Sequence, residues 1–237
     1  MTSLFADSEI VDLTVLLERG IPRWPSHPHL VIDPTVTHEH DGYYCQSISM
    51  AEHTGTHVDA PHHVHADLPE QTVEHIPLPS LIGPCTVIDL SDREWKPGEC
   101  ATLNDMLAYL ERHGAEIDEG DIVLIHFGWL KRHWTTGKDW RYYVDNQPGL
   151  TKDAADYLIG KRVKAVGTDT AAVGTPVSGG VSKPCFFHQQ VLRQGIYLIE
   201  TLDQLDRLPV KCFFITAPLK IHRGSGSPVR AMAVVPR

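Results

Sequence analysis

The stretch HTGTHVDAPHH, residues 53–63, places four histidines and one aspartate within eleven positions. The residues between them are small, β-branched or turn-forming. Gly55, Pro61 and the β-branched residues disfavour a helix here. An extended or looped backbone is expected instead. In an extended segment the side chains of His57 and Asp59 point to the same side.

His53 and His63 share the parity of that pair, so four potential ligands can converge. Imidazole nitrogen and carboxylate oxygen suit zinc, and also manganese or iron. Two histidines and one carboxylate leave coordination positions open for a water, whose pKa a metal lowers from about 15.7 to about 7. The pattern therefore favours a hydrolytic metal site over a histidine-rich surface loop.

The composition is that of an ordinary globular protein, with 42% hydrophobic and 22% charged residues in a chain of 237. This size predicts a single domain, residues 1–237. A net charge of −9 without basic runs argues against nucleic acid. No segment approaches the roughly 18 apolar residues of a membrane span. Five scattered cysteines and the lack of a signal sequence predict a cytoplasmic protein.

Strand patterns outnumber helix patterns along the chain, which predicts a β-rich mixed α/β domain. Helices are predicted at 102–114, with Thr102 and Asp105 at its start and Gly114 at its end, and at 151–160 and from about 187 to 195. Strands are predicted at residues 9–17, 43–50, 85–90, 122–129, 163–169, 196–200, 211–218 and 229–235.

Three titratable residues of the second half fall at the ends of these elements, namely Asp169, His188 and Glu200. Ligand sites in open α/β sheets lie beyond the carboxyl ends of strands, so a common pocket can contain all three. Each residue taken alone is more often a cap, a surface partner or a solvated side chain. Whether these three residues have a functional role therefore depends on the role of the stretch at residues 53–63.

That stretch resembles the HxGTHxDxPxH signature of the metal-dependent cyclase family, of the kynurenine formamidase and isatin hydrolase type. Other segments look like family blocks in the same order: GIPRWPSHP at 20–28, VGTDTAAV at 166–173, HQQVLRQGIYLIETL at 188–202 and PLKIHRGSGSPVRAMAV at 218–234. The resemblance covers nearly the whole chain and implies the family's fold.

The resemblance also implies roles for individual residues. His63 matches the proton donor and acceptor, and Trp24 the aromatic wall of the substrate site. Apart from the resemblance, Phe127 or Trp129 is expected to stack on the substrate together with Trp24. Asp169 is expected to support the site without binding metal. The implied metal ligands, for one or two Zn²⁺ or Mn²⁺ ions per subunit, are His53, His57 and Asp59, with His188 and Glu200 completing the second site. A single-metal centre, in which His188 and Glu200 only form hydrogen bonds, stays open. His62 is read as structural.

The implied reaction is metal-dependent hydrolysis of the C–N bond of a small aromatic amide. The substrate is an N-formyl aryl amide such as N-formylkynurenine or a cyclic amide such as isatin. The run TAAVGTP after Asp169 lacks the serine and the Asp-Pro step common in formamidase-like members, so the substrate stays open. The alternatives are a cyclase or lyase acting through an enolate and a non-catalytic metal-binding protein.

The quaternary structure is predicted from the same resemblance. The proline-rich segment Ile21 to Pro28 has the composition of an arm rather than a core strand. Family members form dimers or larger assemblies, so we expect a homodimer or homotetramer. The expected partner apart from that is a small-molecule substrate.

Overall fold

The architecture comes from a computed structural model that describes residues 7–174, 177–178, 181–182 and 185–237. Within these ranges the strands are β1 (Ser8–Asp12), β2 (Val31–Val36), β3 (Cys45–Ser49), β4 (His57–Asp59), β5 (Ile82–Asp89), β6 (Cys100–Ala101), β7 (Ile122–His126), β8 (Gly149–Leu150), β9 (Ala165–Thr168), β10 (Val177–Ser178), β11 (Val181–Ser182), β12 (Tyr197–Glu200), β13 (Lys211–Ile215), β14 (Gly226–Pro228) and β15 (Met232–Pro236). The helices are α1 (His38–Asp41), α2 (Leu103–Arg112), α3 (Trp129–His133), α4 (Trp140–Asp145), α5 (Lys152–Gly160) and α6 (Phe186–Arg193).

Nine strands form one mixed sheet in the order β1-β15-β13-β5-β7-β9-β12-β4-β14. Strands β5, β7, β9 and β12 run parallel at its centre, and antiparallel strands extend it on both sides. Both faces of a parallel sheet are normally covered, which explains why all five residues of β7 are apolar or buried. The sheet is therefore the middle layer of the fold.

Helices α2, α5 and α6 cover one face of this sheet. Met106, Leu158 and Val191, one from each helix, share an apolar cluster with Val123 and Ile125 of β7. The other face curls around a second cluster that joins strands distant in the sheet order, with members Val11, Val58, Leu124, Phe214 and Ala233. The two clusters hold the sheet in its curled form.

Thr56 joins the segment before β4 to three other segments of the curled sheet by hydrogen bonds. Its hydroxyl donates to the carbonyl of Thr201 at 2.6 Å and accepts the amide of Val15 at 3.0 Å. Its carbonyl accepts the amide of Val229 at 3.0 Å. These bonds fix the backbone immediately before His57, where the candidate ligands begin.

The sequence predictions for the secondary structure agree with this architecture. Every predicted strand overlaps a strand of the sheet or of the β2–β3 hairpin, and the three predicted helices are α2, α5 and α6. Thr102 and Asp105 form a reciprocal capping box, and Gly114 has the left-handed φ of 58° expected beyond a helix end. The predicted mixed α/β fold is confirmed.

Two local predictions were wrong. The strand predicted at 122–129 ends at His126, because Gly128 turns the chain with a φ of 67° and α3 begins at Trp129. The segment Ile21 to Pro28 is not a projecting arm: Ile21 and Pro22 are buried, and the following residues line the main cleft. Among the described residues, no helix has the length and apolarity needed to cross a membrane.

Candidate metal centre

Strand register brings the candidate ligands of β4 against those of its neighbours. In the antiparallel pair β12–β4, His57 lies directly opposite Glu200, and opposed residues project their side chains to the same face. On the other side of β4, Asp59 lies opposite Gly226 of β14. Because Gly226 has no side chain, the imidazole of His53 fits over it.

Asp59 is the centre of the cluster. Its Oδ1 lies 2.7 Å from His53 Nδ1 and 3.5 Å from His57 Nε2. Its Oδ2 lies 3.4 Å from His188 Nε2 and is buried without a hydrogen bond of its own within the described part of the chain. A buried carboxylate oxygen without a hydrogen bond is what a bound cation satisfies.

Glu200 lies between His57 and His188 of the cluster. Its Oε1 lies 3.0 Å from His188 Nε2 and accepts the amide of Val173 at 3.0 Å. Its Oε2 lies 3.3 Å from His57 Nε2. The prediction that residues from the second half reach the 53–63 stretch therefore holds for His188 and Glu200.

The hydrogen bonds behind His57 fix its tautomer. Its Nδ1 donates to the carbonyl of Gly55 at 2.8 Å, which leaves a lone pair on Nε2. In the neutral ring that lone pair faces carboxylate oxygens of Asp59 and Glu200, and the same carboxylates raise the pKa of His57 against the effect of burial. A divalent cation resolves such an arrangement, and the nitrogen and oxygen donor set suits zinc or manganese.

His53 shows the same arrangement through two residues that the sequence analysis missed. Glu52 Oε2 accepts the hydroxyl of Ser225 at 2.6 Å, so the Ser225 oxygen is free to accept His53 Nε2 at 2.9 Å. Nδ1 of His53 lies 2.7 Å from Asp59 Oδ1, where it donates a hydrogen bond when the ring is protonated and offers a lone pair when the ring is neutral. Glu52 precedes the motif directly, but only the folded chain brings Ser225 to it.

The charges of the cluster shift the pKa values of its members. Burial opposes ionisation of Asp59, yet His53, His63 and His188 hold the pKa of its carboxyl well below the usual value. Burial likewise opposes protonation of His188, but the Glu200 and Asp59 carboxylates raise its pKa well above the usual value. Without a cation, protonation of His188 supplies a positive charge between these carboxylates.

His63 differs from the other histidines. Burial lowers its pKa to about 4, and the nearby charges of His53 and His188 act in the same direction, against the attraction of Asp59 and Glu200. Its ring centroid lies 4.0 Å from that of His53. His63 is therefore a neutral imidazole at physiological pH.

The ligand atoms form two overlapping groups, in each of which all atoms lie within 4.8 Å of one another. One group is His53, His57 and Asp59, and the other is Asp59, His63 and His188. The first contains the three predicted primary ligands. In the second, His63 stands where the resemblance implied Glu200. His62 belongs to neither group.

The cluster lies in a cleft of about 370 Å³. This volume falls in the range typical of small-molecule sites, about 300 to 1,000 Å³. Trp24 lines it, as predicted from the resemblance, together with Pro22, His27 and Trp134, which the sequence analysis did not single out. His27 Nδ1 is buried and has no hydrogen-bond partner within the described residues.

Two predictions for this cleft were wrong. Phe127 and Trp129 are fully buried in the apolar cluster beneath the helices, because the turn at Gly128 directs both inward. Asp169 does not share the pocket of His188 and Glu200. Its carboxylate accepts the amides of the 127–130 segment, at 2.8 Å from Phe127 and 2.6 Å from Trp129, and so holds the start of α3.

The cleft and its cluster of nitrogen and carboxylate donors indicate a metal-dependent protein of the α/β class. The chain belongs to the cyclase family: a family profile described as putative cyclase matches residues 11–175. An isatin hydrolase from Roseibium aggregatum is 30% identical over 99% of this chain and 94% of its own length. A kynurenine formamidase from Bacillus cytotoxicus is 26% identical over 95% of this chain and 97% of its own.

Solved structures give the same relationship. An isatin hydrolase bound to the product analogue thioisatinate superposes with a TM-score of 0.86 and 32% identity, covering 98% of this chain and 94% of its own. A protein described as a potential metal-dependent hydrolase with cyclase activity gives 0.70 and 27% identity, covering 97% and 98%. The predicted family is confirmed, and these relatives support the predicted metal-dependent amidohydrolase.

Proposed function

We propose that the chain, as one domain of 237 residues, hydrolyses the C–N bond of a small aromatic amide, with a cyclic amide such as isatin as the first candidate. The observation that carries this proposal is the group formed by His53, His57 and Asp59 inside the cleft. The similarity to isatin hydrolases over nearly the whole chain supports the cyclic amide.

Zn²⁺ or Mn²⁺ would be held by His53, His57 and Asp59. When bound, the cation supplies a lowered pKa for water and polarisation of the amide carbonyl. The chain's own residues hold these ligands in place: Gly55 accepts from His57, and Ser225 accepts from His53. Such hydrogen bonds behind a metal ligand orient it and raise its basicity.

His63 is the proposed proton carrier of the reaction. A neutral imidazole accepts the proton that the attacking water loses, and the imidazolium then donates it to the leaving nitrogen as the C–N bond breaks. Its pKa of about 4 keeps it in the accepting form at neutral pH. Water is consumed: a cyclic amide opens to a single product that carries both the carboxylate and the amine, whereas an N-formyl aryl amide gives formate and an aryl amine.

The wall of the cleft positions the aromatic part of the substrate. Trp24 and Trp134 offer flat apolar surfaces, which stack on planar rings. Burial of the substrate against them also excludes bulk water and so strengthens the electrostatic interactions around the reacting carbonyl.

A second candidate is an N-formyl aryl amide, with two metal ions per site. The overlapping group of Asp59, His63 and His188 favours this candidate because it offers a further set of ligand atoms. In that case His63 would be a ligand and another group would carry the proton. Elemental analysis distinguishes one ion per chain from two.

The assay is hydrolysis of isatin and of N-formylkynurenine by wild type and His63→Gln. We expect isatin to be the better substrate and His63→Gln to lower kcat by about 100-fold or more. Turnover of neither amide, or normal turnover by His63→Gln, would contradict the proposal. Oxygen-18 from solvent must appear in the product, whereas a lyase acting through an enolate would incorporate none.

We also propose that the protein is a cytoplasmic homo-oligomer, either a homodimer or a homotetramer. The location is supported by the cysteine pattern, since the five cysteines are widely spaced and never arranged as CxxC, which is usual in a reducing compartment.

A further inference from the structure

His27 is a histidine of the cleft wall that belongs to neither group of candidate ligand atoms. Its ring centroid lies 6.0 Å from that of His53, a proposed metal ligand. A small molecule bound at the cluster therefore comes within reach of this imidazole. Polar groups placed in this way in a mostly apolar pocket fix the orientation of a ligand and set specificity.

The turn that carries His27 is held by hydrogen bonds on both sides. The amide of His27 donates to the carbonyl of Trp24 at 2.9 Å. The Arg23 guanidinium donates to the carbonyl of His27, also at 2.9 Å, and packs over the ring of Trp140, 4.7 Å from its centroid. A fixed backbone presents the imidazole in a defined position, which a residue that selects a substrate requires.

The two ring nitrogens of His27 have different surroundings. Nδ1 is buried and has no hydrogen-bond partner among the described residues, whereas Nε2, at the tip of a ring that lines the cleft, is not buried in this way. A proton on Nδ1 would be a buried donor without an acceptor, whereas a proton on Nε2 reaches water or a ligand in the cleft. The neutral imidazole therefore offers one N–H donor to the cleft.

The proposed reaction leaves one polar atom of isatin without a partner. The scissile carbonyl is directed at the cluster of His53, His57 and Asp59, and His63 gives its proton to the leaving nitrogen. Isatin has a second carbonyl, a ketone bonded directly to the scissile one. The oxygen of this ketone accepts hydrogen bonds, so an N–H donor in the cleft wall matches it.

We propose that His27 is a specificity-determining residue whose Nε2–H donates a hydrogen bond to the ketone oxygen next to the scissile amide. This role rests on the proposed function and defines its substrate class, namely amides whose carbonyl is bonded to a second carbonyl. An N-formyl group has only hydrogen at that position, so His27 favours the cyclic amide. The ketone is unchanged by hydrolysis, so loss of its hydrogen bond should raise KM and leave kcat as it is.

The experiment measures isatin kinetics for metal-loaded wild type, His27→Leu, His27→Gln and His40→Asn. Leucine is similar in size without a polar atom, whereas glutamine keeps an N–H donor at similar reach. The control residue His40 is exposed on α1, outside the cleft. We expect His27→Leu to raise KM about 10-fold with wild-type kcat and metal content, and His27→Gln to stay within about 3-fold of the wild-type KM.

Calorimetric titration with two anilines separates recognition from turnover. Isatinate, the ring-opened product of isatin, carries the ketone between its ring and its carboxylate, and anthranilate lacks this ketone. We expect wild type to bind isatinate more tightly than anthranilate. His27→Leu should lose about 10-fold of that preference, while its affinity for anthranilate stays at the wild-type value.

An unchanged KM and an unchanged preference for isatinate in His27→Leu would overturn the proposal, as would a His27→Gln variant no better than His27→Leu. A fall in kcat at unchanged KM would also overturn it, because that result assigns His27 to proton transfer. If wild type does not hydrolyse isatin, the proposed function fails, and the titrations still decide whether His27 recognises the ketone. Thermal unfolding checks that each variant is folded, and His27→Ala replaces His27→Leu if that variant is not.

Discussion

Replacing Gly226 by alanine tests how closely the backbone of β14 supports the cluster. A Cβ at this position would lie 2.5 Å from His53 Cε1 and 2.8 Å from the carbonyl oxygen of Val58. Carbon atoms need about 3.5 Å or more between them, so the imidazole or the strand must move by about 1 Å. The Val58 carbonyl belongs to β4 and cannot rotate away, which leaves displacement of His53 as the main response.

The expected result of Gly226→Ala is a metal site that is weaker and less active. Misplaced ligand support costs about 10- to 100-fold in metal affinity, and a shift of about 1 Å costs about 100-fold in rate. Overpacking also lowers the free energy of unfolding by about 1 to 3 kcal/mol. Calorimetric titration of chelator-treated protein with Zn²⁺ or Mn²⁺, and kcat/KM for isatin, measure these effects.

The matched control is Gly160→Ala. Gly160 ends α5, and an added Cβ there meets no atom within 4 Å, so this variant should match wild type in both assays. If Gly226→Ala binds metal and turns over isatin as wild type does, His53 is not held against Gly226. The proposed geometry of the primary ligands would then be wrong.

Three further predictions follow from individual contacts. Because neutral His63 accepts the proton, kcat/KM should be level near pH 7 and fall as the pH approaches about 4; a rise towards acid pH would contradict this. Through their 2.9 Å contact, His126 lowers the pKa of Asp89 and Asp89 raises the pKa of His126, each against the effect of burial. Asp89→Asn should therefore destabilise most between about pH 4 and 6.5, and the loss measured by denaturant titration should become smaller as the pH rises above or falls below this window. Arg23 donates hydrogen bonds to carbonyl oxygens of the 24–27 turn, at 2.9 Å for that of His27. Arg23→Met should therefore raise the KM for isatin about 2- to 10-fold with little change in kcat. An unchanged KM would exclude a role of Arg23 in holding the cleft wall.

The sign of the Asp89 prediction follows from proton linkage. A carboxyl with a lowered pKa in the folded state contributes stability above its unfolded pKa, and this contribution is lost as the pH falls. His126, whose pKa is raised against the effect of burial, contributes below its unfolded pKa and loses the contribution as the pH rises. Only the window between the two unfolded values contains both contributions in full.

Much of the fold was predictable because its signals are local. The capping box of Thr102 and Asp105 and the apolar run of β7 depend on neighbours in sequence. The ligands at His53, His57 and Asp59 are also close together in the chain. Their motif could therefore be recognised without knowing the tertiary structure.

The errors and omissions concern contacts between distant segments. The local sequence does not distinguish Phe127 and Trp129 facing the core from the same residues facing a cleft. The left-handed backbone of Gly128, which lies between them, decides their direction. Ser225 reaches His53 only through the β14–β4 pairing, at a separation of 172 residues. Asp169 directly follows β9, which ends at Thr168, and its carboxylate accepts hydrogen bonds from amides of the 127–130 segment instead of reaching the cleft.

We propose that His53, His57 and Asp59 hold a divalent cation required for amide hydrolysis. The direct measurement is metal content by elemental analysis, paired with isatin hydrolysis, for wild type, metal-stripped, metal-restored and Asp59→Asn protein. We predict at least one Zn²⁺ or Mn²⁺ per active chain, loss of activity on stripping, recovery on addition of metal to wild type, and no recovery for Asp59→Asn. Full activity in the metal-stripped wild type would contradict the account.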